Sequence, residues 1–117
     1  MNLQPKISLL IPVYNVENTL DACLNSAENQ SLNEIEIICV DDGSTDHSFD
    51  ILQKHAARDS RFILLRHNHN RGLFSARKTA VEKAAGQYIM FLDSDDTLVH
   101  HACAEAFRQI QTHNVDI

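Results

Sequence analysis

Tyr88-Ile89-Met90-Phe91-Leu92-Asp93-Ser94-Asp95-Asp96 decides how the rest of the chain reads. An apolar run from Tyr88 to Leu92 stops abruptly at three carboxylates within four positions. The pattern describes a buried strand whose end opens into a loop of concentrated negative charge. Two carboxylates about 4 Å apart repel by roughly 4 kcal/mol at an effective dielectric of about 20. A fold keeps such a cluster cheaply only when it is solvated or holds a cation. Oxygen-only donors suit Mg²⁺ or Mn²⁺ better than Zn²⁺.

Working outward, the same strand-then-polar-tip pattern recurs. Ile7 to Val13 is a continuous apolar and β-branched run, expected as a strand buried on both faces. Pro12 lacks a ladder donor, so the strand is expected to end there and Tyr14-Asn15 to begin a loop. Helical spacing then sets in at Val16, Leu20, Cys23, Leu24 and Ala27, with Asn15 as the cap. Ile35 to Val40 predicts a second buried strand ending in Asp41-Asp42-Gly43-Ser44. Gly43 suits a tight turn, and Ser44 or Thr45 suits the cap of a helix running to about Ala57.

Phe62 to Leu65 predicts a third strand, followed by a polar loop over 67–72. An alanine-rich helix from Leu73 to Ala85 follows, with Gly86 as its C-cap. Gln87 to Leu92 is the fourth strand. Thr97 to His113 is the last helix, expected to bury Val99, Cys103, Phe107 and Ile110. Strands and helices alternate throughout, which means an α/β fold with a mostly parallel open sheet covered by helices on both faces. In such sheets ligands sit beyond the carboxyl ends of the strands. Tyr14-Asn15, Asp41-Asp42 and Asp93-Ser94-Asp95 all fall at those ends.

The 117 residues are expected to form one domain. A formal charge of −6 argues against a nucleic-acid partner, which needs clustered Lys and Arg, and suits an acidic site that recruits cations. No signal-peptide pattern and no stretch of membrane-spanning length is present. Cys23, Cys39 and Cys103 lie inside apolar patterns, as buried thiols of a reducing compartment would. His67, His69, His100 and His101 lack the spacing of a zinc set.

Four stretches together resemble the family 2 glycosyltransferases: Ile11-Pro12-Val13-Tyr14-Asn15; Val40-Asp41-Asp42-Gly43-Ser44-Thr45-Asp46; Asn70-Arg71-Gly72 with Ala76-Arg77; and Phe91-Leu92-Asp93-Ser94-Asp95-Asp96. They occur in that family's order and spacing over nearly the whole chain. The resemblance implies the Rossmann-like nucleotide-binding half of the GT-A fold. It implies that Pro12, Val13, Tyr14 and Asn15, with Glu17, border a nucleotide base, and that Tyr14 lies against its ring. Asp42 would accept a hydrogen bond from the base, favouring uridine, while Asp41 shapes the turn. Asp93, with Ser94 beside it, would contact the ribose. Asp95, helped by Asp93, would hold the Mg²⁺ or Mn²⁺, and Arg71 and Arg77 would lie towards the diphosphate. The implied reaction is metal-assisted, inverting transfer from a UDP-sugar to a polysaccharide or glycoconjugate acceptor. The implied setting is the cytoplasm, at the cytoplasmic face of a membrane for the full-length protein.

Taken one at a time, these residues have plainer readings. Asp41-Asp42-Gly43-Ser44 describes an ordinary turn with a helix cap, Tyr14 a core-edge aromatic, and Arg77 a solvated helix residue. Two other functions fit parts of the pattern. Asp93-Ser94-Asp95-Asp96-Thr97-Leu98 resembles the haloacid-dehalogenase phosphatase motif, but Asp96 stands where that family has Gly. A receiver-like or other non-enzymatic nucleotide-binding module would use Asp41-Asp42, but its acidic pair ends the first strand rather than the second. The catalytic base of a family 2 enzyme is expected beyond Ile117. Asn114-Val115-Asp116-Ile117 reads as the approach to another strand, so the expectation is a donor-binding unit truncated before the acceptor-binding half.

Overall fold

Two strands of unbroken apolar character occupy the middle of the sheet because only there are both faces covered. β1 (Ile7–Val13) and β2 (Ile35–Asp41) are buried at every position. The computed structural model describes residues 4–113; the strand expected near Asn114–Ile117 lies outside them. β3 (Phe62–Arg66) and β4 (Tyr88–Phe91) form the less buried edges. The order is β3-β2-β1-β4, and every pairing is parallel. Ile7 pairs with both Ile35 and Tyr88, so all strands run towards the same edge.

The period of two in β1 sorts its side chains between two layers. Ile7, Leu9, Ile11 and Val13 join the larger core with Leu20, Cys23, Leu24 and Ala27 of α1 (Leu20–Glu28), Leu52 of α2 (Ser48–Arg58) and Cys103 of α4 (Ala102–His113). Leu10, Ile38 and Val40 face the other way, against Ala76 and Ala80 of α3 (Leu73–Lys83). Helices therefore cover both faces, as the alternation predicts.

Pro12 does not end β1. It stays in register with Val40, and the strand continues through Val13. Leu10 gives its carbonyl to Leu92 and Val13 gives its own to Asp42, so successive residues address opposite neighbours. Pro12 therefore turns towards β4, whose pairing has already finished at Phe91. Its missing N–H costs no ladder bond there.

Tertiary contacts reset the helix starts. Asn15 does not cap α1; it adopts φ 48° and its Oδ1 accepts from the Thr45 N–H at 2.8 Å. The regular helix begins at Leu20, after turns in which Thr19 and Leu20 donate to Val16. Ser44 and Thr45 do not cap α2. Asp46 supplies the acceptor for the Ser48 N–H at 2.9 Å, while Ser44 Oγ accepts from Asn15. α4 starts at Ala102 rather than Thr97, and Val99 is 77% exposed instead of buried. Buried Gln30 explains the delay: its Nε2 donates to the Val99 carbonyl at 2.8 Å, and its Oε1 accepts from the Cys103 N–H at 2.9 Å.

Gly86 is not a C-cap either. α3 ends at Lys83, with Ala84 in an extended conformation. A Cβ at Gly86 would lie 2.6 Å from Ser8 Oγ and 2.7 Å from Ser8 N, so the glycine lets the chain pass close over β1. The Gly86 N–H donates to Ser8 Oγ, and Ser8 in turn donates to Glu36, which also accepts from Ala85. Each group of this buried polar pair is thereby satisfied.

Candidate functional site

From β1 the chain moves to β2 on one side, while β4 lies on the other, so the loops leaving β1 and β4 diverge and leave a crevice. A cavity of about 350 Å³ fills it, lined by Tyr14, Asp42, Arg77, Asp93, Ser94 and Asp95. Pro12 and Val13 also line it. A more open hollow beside it shares Arg77, Asp93 and Asp95.

Three strand ends supply the walls, and each is fixed differently. After β1, Tyr14 is 44% exposed. Asn15 and Glu17 are absent from the lining and bind the β2–α2 loop instead. Glu17 Oε2 accepts from the His47 N–H, and the Glu17 N–H donates to Asp46 Oδ2. Val16 donates its N–H to Ser48 Oγ. Asn15 and Glu17 frame the site rather than face it.

At the end of β2, Asp41 is fully buried and accepts from Arg66 Nε at 3.2 Å. The Arg66 guanidinium lies 4.2 Å from the centre of the Phe49 ring. Asp42 is 2% exposed yet lines the cavity. Its Oδ1 accepts from His67 Nδ1 at 2.6 Å and from the Arg71 N–H at 3.0 Å, and its Oδ2 accepts from the Gly72 N–H at 2.8 Å. Burial acts to raise the Asp42 pKa, but the bonds from His67, Arg71 and Gly72 outweigh it and hold the carboxyl below its usual value. Arg71 thus contributes its backbone here, and it is not among the lining residues. Gly43, at φ 75°, lets the 67–72 loop come this close; a Cβ would lie 2.6 Å from the His69 carbonyl carbon.

Beyond β4, Asp93-Ser94-Asp95-Asp96 turns back on itself, the Asp96 N–H donating to the Asp93 carbonyl at 3.0 Å. α1 carries this turn from below: Thr19 Oγ1 donates to the Ser94 carbonyl, and Cys23 Sγ to that of Asp93. Carboxylate oxygens of Asp93, Asp95 and Asp96 lie within 4.8 Å of one another, and all three residues are exposed. The donor set fits a hard divalent cation such as Mg²⁺ or Mn²⁺. The cationic partner at the cavity is Arg77, whose Nη2 lies 3.3 Å from Asp93 Oδ1 while its guanidinium rests over Phe91.

The cysteines remain buried thiols. Burial, reinforced by Asp96, Asp95 and Asp93, pushes Cys23 up to about 12, and burial alone takes Cys103 up to about 11. Nothing here resembles a reactive thiolate. His100 and His101 are spent on Asn29 and Ser31.

The matching family model, glycosyl transferase family 2, runs over residues 8–117. The chain belongs to that family. Putative glycosyltransferase EpsH of Bacillus subtilis is 43% identical over 104 residues, covering 89% of this chain and 30% of that protein. The UDP-Glc:α-D-GlcNAc-diphosphoundecaprenol β-1,3-glucosyltransferase WfaP of Escherichia coli is 39% identical over 109 residues, covering 93% and 43%. Residues 1–349 of S. aureus TarS, solved with UDP-GlcNAc, superpose with a TM-score of 0.87 at 30% identity, covering 93% of this chain and 32% of that one. The family 2 chain thus has the architecture of the GT-A glycosyltransferases, as its four motifs imply. It spans less than half the length of the curated relatives it matches. The phosphatase and receiver readings fall with the family assignment.

Motif reading identifies Pro12, Val13, Tyr14, Asp42, Arg77, Asp93, Ser94 and Asp95, and the fold brings these together. It gives no site role to Val16, Leu73 and Ala76, whose apolar character is indistinguishable from that of core residues. It also passes over His67, whose partner becomes visible only once β2 and the 67–72 loop are in contact.

Proposed function

We propose that this family 2 chain binds a nucleotide-diphosphate sugar, specifically a UDP-sugar, together with a divalent cation. The observation that carries this reading is one cavity lined by an exposed aromatic, a buried carboxylate and the carboxylates of an acidic turn. Tyr14 offers its ring to the base, and Asp42 accepts from a base N–H. Asp93 addresses the ribose, and Arg77 lies towards the diphosphate, while Arg71 serves through the backbone N–H it gives Asp42. Asp95, with Asp93, would hold the Mg²⁺ or Mn²⁺. When bound, such a cation supplies Lewis-acid stabilisation of the charge that gathers on the departing nucleoside diphosphate. Arg77 adds a fixed positive charge on the same side.

The whole protein, on this reading, is an inverting transferase acting on a polysaccharide or glycoconjugate acceptor, with residues 1–117 serving as the donor-binding unit. TarS solved with UDP-GlcNAc and the activity that WfaP is named for support that reading. The diphosphoundecaprenol acceptor in WfaP's name supports the cytoplasmic face of a membrane as the place of action. Among the described residues no helix is long and apolar enough to cross a membrane.

Calorimetric titration of UDP with and without Mn²⁺ tests the proposal. The wild type is expected to bind UDP more tightly with Mn²⁺. Asp95→Ala is expected to lose at least about tenfold in that condition, since even outer partners of metal sites cost about 10–100-fold when removed. Unchanged UDP binding by Asp95→Ala with Mn²⁺ present would overturn the assignment.

A further inference from the structure

His67 is 6% exposed and polar on both sides, with neither ring nitrogen left over. Nδ1 faces Asp42 Oδ1 at 2.6 Å, and Nε2 faces Thr79 Oγ1 of α3 at 2.8 Å. An ionised carboxylate only accepts, so Nδ1 carries the proton in that bond. The Thr79 hydroxyl both donates and accepts, so it satisfies Nε2 in either protonation state. The backbone is held as well: the His67 N–H donates to the Asp41 carbonyl at 2.8 Å, extending the β2–β3 ladder one step past Arg66. The ring therefore stands between a helix and a strand end, pressed against Asp42, which lines the cavity.

A carboxylate offers about four acceptor positions. His67, Arg71 and Gly72 occupy three of those on Asp42. The two backbone donors hold one oxygen each, Arg71 on Oδ1 and Gly72 on Oδ2. His67 takes the second position on Oδ1, so the acceptor position left open is on Oδ2.

We propose that His67, backed by Thr79, is a positioning residue for base selection, fixing Asp42 so that one acceptor position faces the bound base. The inference rests on the cavity being a nucleotide site. Uracil presents a ring N–H between two carbonyls and matches one fixed acceptor. Cytosine presents a bare ring nitrogen at that position, with its N–H donors displaced onto the exocyclic amine. A carboxylate with this single open position meets lone pair with lone pair, whereas one whose Oδ1 is also open has a second acceptor to offer the amine. His67 thus governs the preference for uridine over cytidine, rather than nucleotide affinity in general.

The test is calorimetry with UDP and with CDP, both with Mn²⁺, on the wild type, His67→Ala, His67→Asn and Thr79→Val, with unfolding midpoints measured alongside. The wild type is expected to prefer UDP. His67→Ala is expected to lose about tenfold of that preference, the value of one well-made hydrogen bond to a charged group, with CDP affinity nearly unchanged. His67→Asn, whose amide N–H takes the place of Nδ1–H, is expected to keep most of the preference, and Thr79→Val to fall between. A UDP-to-CDP ratio equal to wild type in either His67→Ala or Thr79→Val, whatever the unfolding midpoint, would overturn the inference. Thr79→Val removes one hydroxyl and no charge, so it decides the matter when His67→Ala does not fold. Wild-type protein that binds neither nucleotide would instead overturn the nucleotide reading itself.

Discussion

Asp42 shows how a buried carboxylate is kept ionised by a histidine and two backbone N–H groups. Two backbone N–H groups and an imidazole N–H outweigh the cost of burial. The consequence for pH follows from the direction of the shift. Asp42 has a folded pKa below its unfolded one, so the stability it contributes is complete above the unfolded value, about 3.9. That contribution is lost as pH falls through the lower folded pKa. Asp42→Asn should therefore flatten the acid limb of the stability profile below about pH 4. It also sets an amide NH₂ against donors, and should destabilise the fold at pH 7 by about 1–3 kcal/mol. Urea denaturation across pH checks both outcomes; an unchanged acid limb would remove Asp42 as its source.

Gly43 and Gly86 act at the same scale, one under a positive φ and one under a close approach. At Gly86 the obstructing atoms include β1 backbone, which has little room to give. Gly86→Ala is expected to cost about 1–3 kcal/mol, as overpacking does. Chemical denaturation would show it as a lower midpoint with an unchanged slope.

Among the elements, α1 and α2 are joined by a buried histidine. His55 is fully buried on α2; its Nε2 meets Asp21 Oδ1 at 2.8 Å and its Nδ1 meets Glu28 Oε1, both on α1. The bond from His55, against the opposing effect of burial, leaves the Asp21 carboxyl below its usual value. Asp21 therefore adds stability above its unfolded pKa and loses it as pH falls through the folded one. Removing the ring in His55→Ala opens a cavity and leaves the Glu28 carboxylate to Arg58 alone. The expected loss is about 3 kcal/mol, read by thermal or urea unfolding. A loss within 0.5 kcal/mol, about that of an ordinary surface change, would show the pair to be unimportant.

The elements also show which signals the sequence carries. β1 and β2 were legible because both their faces are covered, so apolar residues run without interruption. The helix starts were not, because the groups that decide them are distant in sequence. Asn15 is drawn away from α1 by Thr45, and Cys103 receives its cap from Gln30. Motif residues at strand ends were legible because acidic and aromatic side chains stand out after apolar runs. His67 was not, since a histidine in a polar loop carries no mark of burial until the 67–72 loop folds over Asp42.

For the whole molecule, the strand order places an aromatic and a carboxylate from the β1–β2 side opposite an acidic turn from β4, with the crevice between them. Family membership and a TM-score of 0.87 to TarS support the proposed reading of this arrangement as a donor-binding half. On that account the purified 117-residue chain should bind UDP with Mn²⁺ yet transfer little sugar. Robust transfer from a UDP-sugar, assayed by product release, would contradict that division of labour.

The most direct measurement compares UDP with uridine in calorimetric titrations, each with and without Mn²⁺. If base and diphosphate occupy opposite ends of one cavity, Mn²⁺ should tighten UDP binding while leaving uridine binding unchanged. Equal responses of the two ligands to Mn²⁺, or no UDP binding under either condition, would contradict it.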